Sequence, residues 1–117
     1  MQVRTLVLIL LTSLAPSLAP SLAAADDNVV NDSGKTLELT CGDGGKVVVN
    51  GAQNEITITG NCAKLAVNGA MNDIEIEAVD KIAVNGTGNT IAWQRGWKAK
   101  APKVAKTGRN NKVTRAK

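Results

Sequence analysis

Val47-Val48-Val49-Asn50-Gly51-Ala52-Gln53-Asn54-Glu55-Ile56-Thr57-Ile58 decides the fold, because the chain says it three times. The second copy is Leu65-Ala66-Val67-Asn68-Gly69-Ala70-Met71-Asn72-Asp73-Ile74-Glu75-Ile76. The third is Ile82-Ala83-Val84-Asn85-Gly86-Thr87-Gly88-Asn89-Thr90-Ile91-Ala92-Trp93. The first Asn returns after 18 residues and then after 17. Self-similarity at a short, nearly fixed period marks a repeat architecture, in which each unit buries its apolar face only against its neighbours. Worn copies flank these three: Val30-Asn31 with Leu37 and Leu39 before them, and Val104, Gly108, Asn111 and Val113 after them.

Each copy holds two short runs in which apolar residues alternate with others. A period of two is the strand signal, whereas no stretch has a helical period with caps. Strands are expected at 47–49, 56–58, 65–67, 74–76, 82–84 and 91–93, with essentially no helix. Two topologies use such a pattern. An antiparallel meander would place Asn-Gly in hairpin turns. A solenoid would make each copy one coil and stack equivalent strands in parallel. Only the solenoid gives a reason for the same residue type at the same place in every copy. Stacking aligns Asn50 with Asn68 and Asn85, and Asn54 with Asn72 and Asn89, in columns where amides can bond to one another. Gly51, Gly69 and Gly86 then supply positive φ at a corner. The expected fold is all-β: a short parallel β-solenoid with about 18 residues and two strands per coil.

The alternation also selects a core. Val47, Val49, Leu65, Val67, Ile82 and Val84 face inward from one sheet, and Ile56, Ile58, Ile74, Ile76, Ile91 and Trp93 from the other, with Leu37 and Leu39 extending the second. Solenoids need capped ends. Aligning Gly108 with Gly86 puts Lys106 where Val84 sits and Arg115 where Trp93 sits, so the last copy reads as a charged cap. Trp97 is expected at the site equivalent to Cys62, covering the final coil.

These residues carry a resemblance. The thrice-repeated V-x-V-N-G-x-x-N-x-I-x-I, with Trp93-x-x-Gly96, Pro102-Lys103-Val104 and Gly108-x-Asn110-Asn111, resembles the bacterial domain-of-unknown-function family 3060 over roughly residues 35 to 115. The resemblance implies an exported, short repeat domain and brings no catalytic residues with it.

Residues 1–25 read as a secretory signal peptide: Arg4, an apolar run from Thr5 to Leu18, then Ala23-Ala24-Ala25, with cleavage expected after Ala25. A membrane anchor is the weaker reading, because the run is short and Pro16 and Pro20 interrupt it. Residues 26–96 form the solenoid repeats and 97–117 a basic C-terminal segment with a degenerate capping coil. The expected location is periplasm or extracellular space, with no transmembrane segment after signal removal. In that oxidising setting Cys41 and Cys62 are expected to pair as a disulfide, the alternative being two buried thiols. Charge is split: residues 26–94 hold four lysines against ten carboxylates, a net of −6, while residues 95–117 hold nine Lys or Arg and no acid.

Past residue 25 the chain has no His, no Tyr and only Ser33 as serine, which excludes a Ser/His or Cys/His nucleophile system. Two Cys without His do not close a zinc site, and no metal or cofactor is expected. Asp73, Glu75 and Glu77, with Glu38 and Glu55 on the same sheet, are the only group that glycoside chemistry could use; a solvated strand face is the plainer reading. Asp43 in Cys41-Gly42-Asp43-Gly44-Gly45 is a single near-miss to a calcium-binding turn. Thr57 and Thr59 alone do not make the threonine array that ice binding needs.

The most informative surface feature is a lysine column. Lys46, Lys64, Lys81 and Lys103 each lie four residues before the corner Asn or its substitute Thr107. In a solenoid they stack at about 4.8 Å. Such a column invites an anion, although flexible lysines can also splay into water and guard strand starts against aggregation. The leading expectation is therefore a non-enzymatic binding or structural module of the cell envelope that engages an anionic envelope polymer, with no specific nucleic acid. The alternatives are a self-associating homo-oligomer joined through oppositely charged parts and, last, a carbohydrate-active enzyme.

Overall fold

The structure, a computed structural model, describes residues 24–116. Most of the expected signal peptide lies outside the described residues. Eight strands follow in order: β1 (Asn28–Val30), β2 (Thr36–Ala52), β3 (Glu55–Ala70), β4 (Asp73–Val79), β5 (Lys81–Thr87), β6 (Thr90–Gly96), β7 (Lys103–Arg109) and β8 (Lys112–Arg115). Every pairing between them is parallel. The expected β-solenoid is what forms, with about five coils. β2 and β3 are long because each runs through a corner and serves both sheets of its coil.

The first sheet stacks Val30, Val49, Val67, Val84 and Lys106, and the second stacks Leu37, Ile56, Ile74, Ile91 and Val113. All the inward valines, leucine and isoleucines between Val47 and Ile91 are at most 2 % exposed. β-branched residues suit this interior because two narrow sheets face each other with no room for large rings. Leu37, Leu39, Trp93 and Val113 pack against the core from the end coils. β7 and β8 add the last coil in the expected register, with Lys106 opposite Val84 and Arg115 opposite Trp93. The Arg115 guanidinium lies 5.7 Å from the centre of the Trp93 ring, covering the core end with a cation rather than another aliphatic layer.

The glycine column is set by steric closeness. A methyl group on Gly69 would land on the carbonyl oxygen of Gly51, and one on Gly86 on that of Gly69. Two positions further on, Gly34, Gln53, Met71, Gly88 and Asn110 all take φ between 56° and 70°.

At the opposite corner Cys41 and Cys62 form the disulfide, with Cα atoms 5.2 Å apart. Ala25 makes an antiparallel bridge to Gly42, and the Asp26 N–H donates to the Cys41 carbonyl at 3.0 Å, so residues 24–26 are tied to this corner. One expectation needs correction. Cys62 pairs with Val79 and Val79 with Gly96, so Gly96, not Trp97, is equivalent to Cys62. The Trp97 N–H donates to the Val79 carbonyl at 3.1 Å, and its ring reaches back until a methyl on Gly44 would stand 3.3 Å from Cη2. Trp97 thus covers the disulfide corner toward the earlier coils. The extra residues between Gly96 and Lys103 release it from the strand path.

Candidate functional site

Asn54, Asn72, Asn89 and Asn111 form a ladder inside the corner, the first three no more than 1 % exposed. Asn72 shows the rule. Its Oδ1 accepts from Asn54 Nδ2 and from the Asn54 N–H, both at 3.1 Å, and its Nδ2 donates to Asn89 Oδ1 and to the Gly51 carbonyl, both at 3.0 Å. Two donor hydrogens and two lone pairs are all used, which is what lets an amide sit in an apolar corner. No buried side-chain polar atom lacks a partner among the described residues. This column is therefore scaffold. The other Asn column is on the outside: Asn50 Nδ2 donates to Asn31 Oδ1 at 3.0 Å and Asn68 Nδ2 to Asn50 Oδ1 at 3.2 Å, both exposed. The rigid corner fixes the strand that precedes it, and that strand presents the lysines.

Lys46 pairs in register with Lys64, and Lys81 with Lys103. Lys64, Lys81 and Lys103 line one open groove of about 230 Å³, floored by Ile82, Ala83, Val104 and Ala105. All four lysines are exposed. Among the described residues the one ion pair within 4.0 Å is Arg95 with Glu77, so no column lysine's ammonium is paired with a carboxylate. Asp27 occupies the same position one coil earlier, and its Oδ1 accepts the Lys46 N–H at 3.0 Å. Like charges about 4.8 Å apart repel by roughly 0.9 kcal/mol per pair in unscreened water. Long flexible stems lower that cost by splaying.

Alternation puts two further columns on the same face. Val48, Ala66, Ala83 and Ala105 run beside the lysines, and Asn50, Asn68 and Asn85 run beyond them. The face is thus basic on one edge, apolar and shallow in the middle, and amide-bearing on the other edge. Sequence reasoning found the lysines but not this grouping. Its signal was present, since residues 46, 48 and 50 share one parity.

The second sheet's outer face is acidic and threonine-rich. Glu55, Asp73 and Glu75 border a polar hollow of about 180 Å³ with Ile56 and Thr57. Glu77 does not join them. It accepts the Gly60 N–H at 2.9 Å and pairs with Arg95 at 3.2 Å, and these two contacts hold its carboxyl below the ordinary 4.5. A general acid for glycoside cleavage needs the opposite shift. No group of three or more His, Cys, Asp or Glu suited to a metal ion occurs among the described residues.

Comparison with curated proteins and with solved structures gave no match. The family model described as "Protein of unknown function (DUF3060)" matches residues 49–114, which runs from the second rung of the first sheet through the capping coil. On that match, which covers more than half of its length, the chain belongs to the DUF3060 family.

Proposed function

We propose that the protein is an exported, non-enzymatic binding module whose lysine face takes a linear anionic polymer of the cell envelope. The observation that carries this reading is the register: four lysines stand in one line on a rigid sheet, and none has its ammonium paired with a carboxylate. A line of fixed charge suits a polymer better than a single anion, because each lysine adds a weak, screened contact and the contacts act together. The disulfide supports export.

Head-to-tail self-association through the solenoid ends and the opposite charges of body and tail is the competing reading, and pairing through the outer faces lacks area. Five residues by four coils give roughly 300 Å² of planar face, well under the roughly 800 Å² per partner of a stable interface. The test is binding of the wild-type chain and a Lys46→Gln, Lys64→Gln, Lys81→Gln, Lys103→Gln variant to acidic polymers by isothermal titration. Binding by wild type alone supports the proposal, and equal binding by both discards it.

A further inference from the structure

We infer that the polymer is an acidic polysaccharide, laid along the solenoid axis with about one sugar residue per coil; this rests on the lysine-face reading above. Charge alone would suit any polyanion, but the face offers more than charge. Beside the lysines, Ala66, Ala83 and Ala105 make a shallow apolar strip on which the C–H faces of sugar rings can rest. Beyond it, Asn50 and Asn68 each spend only one amide hydrogen within the outer column. One N–H per amide is left unused by the column, and a lone pair remains on each Oδ1. A sugar hydroxyl is both donor and acceptor and can use both.

The three edges therefore match the three sides of an acidic sugar: carboxylate on lysine, ring face on alanine, hydroxyl on asparagine. A pyranose in an extended chain advances by about the strand spacing, so about one sugar lies over each coil, and the sugars whose carboxylates turn toward the lysine edge make the full match. Polyphosphate offers neither ring faces nor hydroxyls. Single-stranded nucleic acid would look for aromatic stacking platforms. The lysine face has none, because Trp93 sits in the second sheet and Trp97 at the disulfide corner.

The experiment titrates the full chain with polygalacturonate oligomers of increasing length and with polyphosphate of matched charge. It is repeated on an Asn68→Leu, Asn85→Leu variant, whose fold is checked by circular dichroism. The inference expects affinity for the uronate to rise with length and level off near four or five residues. It expects the double variant to lose about tenfold or more for the uronate while polyphosphate binding is unchanged. Equal affinity per charge for both polymers, with no effect of the Asn changes, overturns the inference and leaves the lysine reading standing. Absence of binding to either polymer overturns both.

Discussion

Replacing Asn72 by Ala should cost far more than its size suggests. The side chain is fully buried and makes four hydrogen bonds. Its loss removes the acceptor of the Asn54 N–H and one of the two acceptors of Asn54 Nδ2, whose other is the Asp32 carbonyl. It also removes a donor from the Gly51 carbonyl and one from Asn89 Oδ1, which keeps the Asn72 N–H. A buried donor left bare costs about 1–3 kcal/mol, and each further lost bond about 1 kcal/mol. The sum is roughly 4–6 kcal/mol, against a total of roughly 5–14 kcal/mol for a domain of about 90 residues. Asn68→Ala is the matched control, because Asn68 is exposed and donates one 3.2 Å bond to Asn50. Its loss should cost roughly 0.5 kcal/mol. Urea unfolding followed by circular dichroism gives both values. If the two variants fall within about 1 kcal/mol of each other, the inner ladder is not what holds the corners, and the account of the scaffold is wrong.

Three further outcomes follow from the same structure. Gly69→Ala should prevent stacking of the second and third coils, because the new methyl meets the Gly51 carbonyl, whereas Gly88→Ala should cost only about 1–2 kcal/mol, its nearest neighbour being Met71 Cγ at 3.5 Å; thermal melts of the two variants check this. Reducing the Cys41–Cys62 bridge, which spans a separation of 21 residues, should cost about 3 kcal/mol by the chain-entropy relation, read as the loss in unfolding free energy under a reductant; an unchanged urea midpoint would contradict it. Glu77 has a lowered folded-state pKa, so its contribution is present above the ordinary 4.5 and is lost as pH falls through the folded value. The melting-point gap between wild type and Glu77→Gln should be open at neutral pH and close in acid; a gap that stays constant with pH would show that the Arg95 pair contributes nothing.

Much of this was legible in the residues, and the reason is the repeat. Three copies at nearly constant spacing forced parallel stacking, and alternation then named the inward residues from Val47 to Ile91. The two Asn columns look alike in sequence, yet one is buried and one is exposed. Each strand's own alternation separates them: Asn54 is in step with the inward Ile56 and Ile58, and Asn50 with the outward Lys46 and Val48, because the inward parity changes across the corner. A constant period misplaces Trp97, because the spacing changes within a coil: pairing shifts by one between Ile58 and Asn61, so Cys62 meets Val79 and then Gly96, and Trp97 falls among the residues inserted before Lys103. For the site, the lysine line came from spacing, but that its ammonium groups lack carboxylate partners needed coordinates, since Asp80 lies next to Lys81 in sequence without pairing with it.

The most direct test of the lysine face is the salt dependence of polygalacturonate binding. By the counterion-release relation each neutralised charge contributes about 0.7–0.9 to the slope of log affinity against log salt. With four lysines engaged, wild type should have a slope steeper by about 3 than the variant in which Lys46, Lys64, Lys81 and Lys103 are all Gln, and should bind more tightly at low salt. Equal slopes and equal affinities for the two proteins would mean that the lysine column is only a solvated face.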